Sequence, residues 1–269
     1  MIEERLSYQT LDGFTIVGLR GSPARRRGWV VLMHGITESK DEYGGFYVDL
    51  ANELRREGFG TLRFDFRGHG ESSGSSKDIS VIGDVLDIES TLQQIPLNPN
   101  EELAFIGTSF GAGPAIMSGS TWHRGVNCLV LIAPVLDYRR TFLEPETDWG
   151  KTWFSQKAFR ELWRSGQLTL ENFSLSPRLF EEFRFLRPMD VLAESRIPTL
   201  IIHGDKDSVV PYQTSLAAAN SIPSVRLHTL AGADHGFPHF EDETGTGPES
   251  QRLKAELIRE AVRFVAGHS

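Results

Sequence analysis

The sequence predicts an α/β fold with a mostly parallel sheet of eight strands, helices on both of its faces and one inserted segment. Short continuous apolar runs, typical of strands buried on both faces, alternate with segments whose apolar residues recur at helical spacing. Strand–helix alternation of this kind indicates βαβ units and therefore a parallel sheet. Near the N-terminus, Asp12-Gly13 is a strong turn signal that joins two strand-like segments in a hairpin.

Each element has its own local signal along the chain. The hairpin comes first, and the next strand, Trp29 to His34, is apolar almost throughout. Gly58 and Pro96 end the first two helices, because glycine suits the position after a helix and proline cannot continue one. The predicted strands are 6–10, 14–20, 29–34, 60–65, 103–106, 128–132, 199–203 and 225–230. The predicted helices are 43–57, 78–95, 109–119, 211–221 and 250–266.

Composition excludes several classes of protein. The 269 residues carry a net charge of −8, which argues against nucleic acid or an anionic membrane surface as the main partner. A single cysteine, Cys128, excludes an intrachain disulfide and any CxxC metal site. No apolar run approaches the ~20 residues of a membrane span, and the N-terminus lacks signal-peptide character, so we expect a cytoplasmic protein. The sequence leaves the choice between a monomer and a homodimer open.

A nucleophilic serine is indicated by the pattern Gly-x-Ser-x-Gly, which occurs around Ser109 and around Ser72. A nucleophile elbow needs a strand before the serine, a sharp turn and a helix after it. Ser109 follows the strand 103–106 and precedes a small-residue helix, whereas Ser72 lies in a glycine- and serine-rich loop. We therefore predict Ser109 as the nucleophile and Ser72 as a loop residue.

A serine hydroxyl needs a base within hydrogen-bonding reach, and eight histidines compete for this role. His235 lies in a loop after the last strand, where the chain order Ser–Asp–His requires the base. His34 and His203 end apolar strands, and we expect them to be orienting side chains. His69 lies in the glycine-rich loop. The remaining histidines, expected at the surface, are His123, His228, His239 and His268.

The acid should lie after a strand between Ser109 and His235 in the chain. Asp207 meets this requirement and should accept the His235 Nδ1 proton. Asp205 directly follows a glycine and suits a turn. Asp234 is adjacent to His235 and badly placed to face its ring, so we interpret it as a surface carboxylate.

The oxyanion of an acyl transfer needs two backbone N–H donors. One should be Phe110, directly after the nucleophile, and the other Ile36, in the loop after the strand 29–34. The alternative is that the segment containing Ile36 is only a strand-to-helix turn.

Taken together, these motifs resemble the serine α/β-hydrolase superfamily over nearly the whole chain. Within the superfamily, the sequence is most similar to the bacterial cinnamoyl/feruloyl esterase-like and monoglyceride-lipase/serine-aminopeptidase-like groups. It rests on His34-Gly-Ile-Thr37, Asp65-Phe-Arg-Gly-His-Gly-Glu-Ser72, Gly107-Thr-Ser-Phe-Gly111, His203-Gly-Asp-Lys-Asp207 and Gly232-Ala-Asp-His235.

The resemblance implies an α/β-hydrolase fold, the triad Ser109, Asp207 and His235, and the donors Ile36 and Phe110. Many relatives have histidine before the serine and glutamine or methionine after it. Here the residue before the serine is a threonine and the one after it is a phenylalanine, which should alter the shape of the acyl site.

In this family a cap enters where the strand–helix alternation breaks here, so residues 134–188 should form a lid inserted into a core of residues 1–133 and 189–269. This segment holds 11 of the 27 aromatic residues, and an amphipathic helix over 151–165 and a hairpin around Glu171-Asn172 are predicted in it. Most of these rings could form the cap's own core, but we expect at least two to line the pocket. The substrate-binding candidates are Trp149, Trp153, Phe154 and Phe237.

An acidic cluster in the same segment comprises Glu144, Glu146 and Asp148. It could bind a substrate amine, as an aminopeptidase requires, although a solvated loop is the simpler interpretation.

The predicted function is therefore hydrolysis of a small-molecule carboxylic ester with an apolar or aryl acyl group, without a cofactor or metal. The alternatives are an amidase, peptidase or thioesterase that uses the same triad, and a non-catalytic protein that binds a small ligand in a hydrolase-like fold.

Overall fold

Strands and helices alternate through the computed structural model, which describes residues 3–122, 125–242 and 244–268. The strands are β1 (Glu4–Gln9), β2 (Thr15–Gly21), β3 (Gly28–Met33), β4 (Phe59–Asp65), β5 (Glu102–Thr108), β6 (Val126–Ile132), β7 (Leu168–Leu170), β8 (Phe173–Leu175), β9 (Thr199–Gly204) and β10 (Val225–Leu230). The α-helices are α1 (Phe46–Arg56), α2 (Val81–Leu92), α3 (Ala112–Met117), α4 (Asp148–Trp153), α5 (Gln156–Ser165), α6 (Pro177–Phe185), α7 (Pro188–Glu194), α8 (Tyr212–Ser221) and α9 (Pro248–Gly267).

The central sheet confirms the predicted fold class. Its eight strands run in the order β1-β2-β4-β3-β5-β6-β9-β10. β1 and β2 form the predicted antiparallel hairpin, and β2 is antiparallel to β4. All other neighbours are parallel, so the segments that follow β3, β5, β9 and β10 meet at one edge of the sheet. Ligands bind at this edge in parallel sheets of this kind.

Helices cover both faces of the sheet because successive strand residues point in opposite directions. Ile106 of β5 packs in a core with Leu50 of α1 and Leu257 of α9. Its neighbour Phe105 packs in a second core with residues of α2 and α3, such as Ile88. The two cores hold the strands rigidly, which fixes the positions of the loops at their carboxyl ends.

The segment between β6 and α7, which we call the cap, contains α4, α5, the hairpin β7–β8 and α6. The hairpin forms around Glu171-Asn172 as predicted. The prediction of a single helix over 151–165 is wrong, because α4 ends at Trp153 and α5 begins after Ser155. The Ser155 backbone is extended and its Oγ accepts a hydrogen bond from Ala158 N at 3.4 Å, so the serine caps a new helix instead of continuing the old one.

Aromatic rings join the cap to the core. Phe110, which follows Ser109, lies within 6.3 Å of the ring centroids of Tyr138, Phe142 and Phe183. Phe142 and Phe183 stack at 4.7 Å. All four side chains are buried, so part of the aromatic surplus of the cap packs it against the elbow of the core.

The part of the chain that the structure describes contains no helix that is long and apolar enough to cross a membrane. Within the same residues, no group of His, Cys, Asp or Glu side chains is arranged to hold a metal ion. His123 lies outside the described residues, so its expected surface position stays a prediction.

Candidate active site

Ser109 lies on a strained turn between β5 and α3. Its φ of 51° is in the left-handed region, where any residue that has a side chain is energetically unfavourable. The flanking glycines make the turn feasible. A Cβ on Gly111 would lie 2.4 Å from the His34 carbonyl oxygen, and one on Gly107 would lie 2.8 Å from the Ala112 Cα. The predicted strand, turn and helix around Ser109 are therefore all present.

Three side chains form a continuous hydrogen-bonded relay. His235 Nε2 lies 3.1 Å from Ser109 Oγ, and His235 Nδ1 lies 2.8 Å from Asp207 Oδ2. Burial would lower the pKa of His235, but the neighbouring Asp207 carboxylate raises that pKa above its usual value. His235 is thus placed to accept the Ser109 proton, and Asp207 is placed to stabilise the resulting imidazolium.

Asp207 is held by four hydrogen bonds. Oδ1 accepts from Val209 N at 2.9 Å and Val210 N at 2.7 Å. Oδ2 accepts from His203 Nε2 at 2.9 Å as well as from His235. Burial by itself would raise the pKa of Asp207, but the imidazoles of His235 and His203 hold that pKa well below its usual range. The carboxylate therefore stays charged, and His203 has the orienting role that its strand-end position predicts.

Asp234 corrects the sequence interpretation, because it is more than a surface carboxylate. Its Oδ1 accepts hydrogen bonds from Ser208 N at 2.7 Å and Ser208 Oγ at 2.8 Å. Ser208 directly follows Asp207, and Asp234 directly precedes His235. Asp234 therefore ties the loop of the acid to the loop of the base. In the sequence, the only sign of this link is that Ser208 is adjacent to Asp207 and Asp234 is adjacent to His235.

The predicted oxyanion donors come from two different loops. Phe110 follows Ser109 directly, and Ile36 lines the cavity that contains Ser109. His34 Nε2 accepts from Phe66 N at 3.0 Å, so the proton is on Nδ1, which donates to the Gly35 carbonyl at 2.7 Å. Gly35 C=O and Ile36 N–H belong to one planar peptide and point in opposite directions. The His34 side chain consequently helps to set the direction of the Ile36 donor, together with Glu38 N, which donates to the same carbonyl at 3.3 Å. Burial lowers the pKa of His34 to about 4, which keeps it neutral.

A cavity of about 190 Å³ opens at Ser109 and His235. Trp149 and Phe237 line it, as does the cap residue Phe142, which sequence reasoning did not single out. Trp153 and Phe154 are not part of its wall. Phe154 is instead buried in the cap interior against Phe142 and Trp149, at centroid distances of 5.2 and 5.6 Å.

Three carboxylates line this cavity as well: Glu38, Glu42 and, at the tip of the β7–β8 hairpin, Glu171. Burial raises the pKa of Glu38, and the charge of Glu171 raises it further. No motif distinguished these residues in the sequence. Glu38 and Glu42 come from the loop after β3, and Glu171 joins them only because the hairpin of the inserted segment lies over that loop.

The other acidic cluster has a different role. Glu144 pairs with Arg139 at 2.5 Å, Glu146 with Arg140 at 2.7 Å and Asp148 with Lys151 at 3.4 Å, and all three carboxylates are exposed. These carboxylates already have partners, which agrees with the solvated-loop interpretation.

The second Gly-x-Ser-x-Gly serine and the second candidate acid also have structural partners. Ser72 Oγ donates to the Asp65 carbonyl at 2.6 Å and accepts from Val17 N at 2.9 Å. Asp205 Oδ1 accepts from Gly232 N at 2.7 Å. Both side chains stabilise loops, as predicted.

A parallel sheet with a serine on a strand–helix turn, an aspartate after a later strand and a histidine after the last one defines the class of α/β hydrolases. The model of the Alpha/beta hydrolase family matches residues 30–246. The chain belongs to this family, and the resemblance seen in the motifs is confirmed.

Individual relatives agree with this assignment. The chain is 28% identical over 246 residues to the AB hydrolase superfamily protein YisY of Bacillus subtilis (strain 168), covering 80% of this chain and 87% of that protein. It is 26% identical over 150 residues to a thiohydrolase of Eupenicillium brefeldianum, covering 54% of this chain and 46% of that protein. The structure of Est1E from Butyrivibrio proteoclasticus with bound ferulic acid has the same fold, with a TM-score of 0.75, 19% identity and coverage of 97% of this chain and 99% of that one.

Proposed function

We propose that the protein is a serine hydrolase that cleaves carboxylic esters with an apolar or aryl acyl group through an acyl-enzyme on Ser109. The observation that carries the proposal is the relay from Ser109 Oγ through His235 to Asp207, with links of 3.1 and 2.8 Å. A serine with only a structural role is not expected on a strained turn, beside a histidine whose Nδ1 is bonded to a buried carboxylate.

The proposed reaction has two stages. His235 Nε2 takes the proton of Ser109 Oγ as the oxygen attacks the ester carbonyl, and the N–H groups of Ile36 and Phe110 stabilise the oxyanion. The carbon–oxygen bond to the alcohol breaks, and the alcohol leaves with the proton from His235. Water then gives a proton to His235 and attacks the acyl-enzyme, which releases the acid and returns the proton to Ser109.

The cavity favours a small apolar acyl group. Its wall includes Val135, Phe142, Trp149 and Leu170 around the nucleophile. Its volume of about 190 Å³ lies below the roughly 300–1,000 Å³ of sites for drug-sized ligands. A short aliphatic chain or a single aromatic ring matches these dimensions better than a long lipid chain.

A thioester is the second candidate substrate. It is supported by the similarity to the thiohydrolase of Eupenicillium brefeldianum, and the same triad can attack either carbonyl. The two substrates differ only in the leaving group, so direct competition between them decides the preference.

The test is turnover by the wild type and two serine variants. The panel comprises p-nitrophenyl esters of increasing acyl length, methyl ferulate, an acyl thioester and aminoacyl anilides. We expect the wild type to prefer esters, and Ser109→Ala to lose roughly a thousandfold or more in kcat. Ser72→Ala is the matched control from the other Gly-x-Ser-x-Gly pattern and should keep its kcat.

Two results would contradict the proposal. Faster turnover of the anilides or the thioester than of every ester would reject the ester preference. A phosphonate that fails to label Ser109 would favour the non-catalytic binding protein.

A further inference from the structure

Glu42 is a buried carboxylate beside the candidate nucleophile that the reaction outlined above leaves without a role. Its side chain lines the cavity together with Ser109 and His235, and only 6% of the residue is exposed. Oε1 accepts a hydrogen bond from Gly35 N at 2.6 Å, and Oε2 accepts one from Tyr43 N at 3.0 Å. No lysine or arginine is among the residues that line this cavity, so the backbone holds the carboxylate.

The bond to Gly35 has a geometric consequence for the oxyanion donor. Gly35 N–H belongs to the peptide before Gly35, and Gly35 C=O belongs to the peptide that carries the Ile36 N–H. Glu42 holds the first of these peptide planes, and His34 Nδ1 holds the second at 2.7 Å. Glycine has wide rotational freedom between two planes. Together with Glu38 N, which donates to the same Gly35 carbonyl at 3.3 Å, these contacts keep the Ile36 donor in one direction.

The chain adopts an unfavourable backbone conformation at Glu42. Its φ is 60° and its ψ is 172°, a region that residues other than glycine rarely occupy. Such conformations persist only where surrounding contacts over-determine them, and they concentrate at functional sites. Here the conformation directs the side chain back toward Gly35 and into the cavity.

Glu42 also contributes charge to the site. Burial raises the pKa of Glu42 to about 7, and the nearby charge of Glu38 acts in the same direction, while His235 lowers it. Burial raises the pKa of Tyr47, and the charge of the Glu42 carboxylate raises that pKa further. In return the Glu42 carboxylate raises the pKa of His235, after the larger effect of Asp207. An ionised Glu42 thus stabilises the imidazolium that forms when Ser109 is deprotonated.

We propose that Glu42 is a positioning residue that holds the Gly35–Ile36 turn with the Ile36 N–H directed at the oxyanion, and that its charge supports the protonated state of His235. This inference rests on the proposed function, because it concerns the same oxyanion and the same base. It adds a second carboxylate to the machinery beyond the triad.

The test compares Glu42→Ala, Glu42→Gln and Asp41→Asn on p-nitrophenyl butyrate, with kcat, KM and the pH dependence of kcat/KM. Glu42→Ala should lower kcat about 10- to 100-fold with KM changed less than about threefold, because a misdirected donor acts only in the transition state. Glu42→Gln keeps an oxygen for Gly35 N, so kcat should stay within about fivefold of the wild type. Its acidic limb should move to lower pH, because the negative charge near His235 is gone.

Asp41→Asn is the matched control because it removes a charge from the same loop outside the cavity, where Asp41 pairs with Arg63 at 2.8 Å. It should leave kcat and the acidic limb unchanged. The inference is wrong if Glu42→Ala keeps the wild-type kcat, if Glu42→Gln loses as much as Glu42→Ala with the limb unmoved, or if Asp41→Asn reproduces either effect. If thermal unfolding shows that Glu42→Ala is not folded, the kcat and the acidic limb of Glu42→Gln alone decide. Absence of Ser109-dependent turnover in the wild type would instead reject the proposed function.

Discussion

At the scale of single residues, the environment of Asp207 explains how one carboxylate can control the site. Two backbone N–H groups and two imidazoles donate to it, so it stays ionised although it is buried. A buried charge is stable only when hydrogen bonds replace the water that it has lost. The charge in turn raises the pKa of His235. A higher pH is therefore needed before His235 becomes neutral and can act as a base.

Asp207→Asn tests this dependence. Loss of the carboxylate should lower the pKa of His235, so the acidic limb of kcat/KM should move to lower pH. At the same time kcat should fall by roughly a thousandfold or more, because the imidazole loses its orientation and its counter-charge. Rates measured between pH 5 and 9 give both quantities. Asp205→Asn, two residues away and bonded to Gly232 N, is the control and should keep the wild-type profile.

At the scale of elements, α4 separates the two tryptophans that the sequence could not rank. Trp149 contributes to the cavity wall, whereas Trp153, one turn later, does not. The helix ends at Trp153, and Ser155 caps the start of α5. Phe154 is then buried in the cap, and this packing fixes the direction of α4 relative to the nucleophile.

Trp149→Ala should therefore change substrate choice. Loss of the indole enlarges the cavity, so the preferred acyl chain in a series of p-nitrophenyl esters should lengthen by several carbons. The catalytic relay is untouched, so the effect should lie in the relative kcat/KM values of the series. Trp153→Ala should leave the order of the series as it is. If both variants gave the same order as the wild type, α4 would not determine the acyl preference.

At the scale of the whole molecule, the cap and the core share buried aromatic packing. Phe110 lies on the elbow of the sheet domain, yet its ring packs against Tyr138, Phe142 and Phe183. The residue that should donate to the oxyanion is thereby joined to the interior of the cap. We expect the two parts to unfold together, because separating them would expose these rings.

Phe183→Ala tests this coupling. Phe183 is 1% exposed, so removal of its ring should lower the free energy of unfolding by about 3–5 kcal/mol. Phe185, two residues later on α6 and 76% exposed, is the matched control. Phe185→Ala should cost less than about 0.5 kcal/mol. Urea unfolding followed by fluorescence should show one transition in each protein. A separate, early transition in the wild type would mean that the cap folds independently.

Features of the structure that depend on short local sequence patterns were predictable. Apolar runs specify the strands of the parallel sheet, and Gly107 and Gly111 mark the elbow because no other residue fits there. The order in which Ser109, Asp207 and His235 follow their strands was sufficient to select the three side chains that the structure brings within hydrogen-bonding distance. A parallel sheet brings strand ends together whatever the length of chain between them.

Other features depended on contacts between distant segments. Asp234 was interpreted as a surface residue because it is adjacent to His235, and its partner Ser208 is 26 positions away in the chain. Glu42 carried no motif, although its contact with Gly35 spans only seven residues, because the contact depends on a backbone conformation that residue type does not predict.

The sequence by itself determined the fold class, which follows from local apolar periodicity, and the family, which its motifs resemble. It also predicted the order of Ser109, Asp207 and His235 from their positions after strands. Only the tertiary structure decided which rings and carboxylates face the cavity. A side chain's environment is set by everything that packs around it, and at this site the neighbours come from the cap and from four separate strand ends.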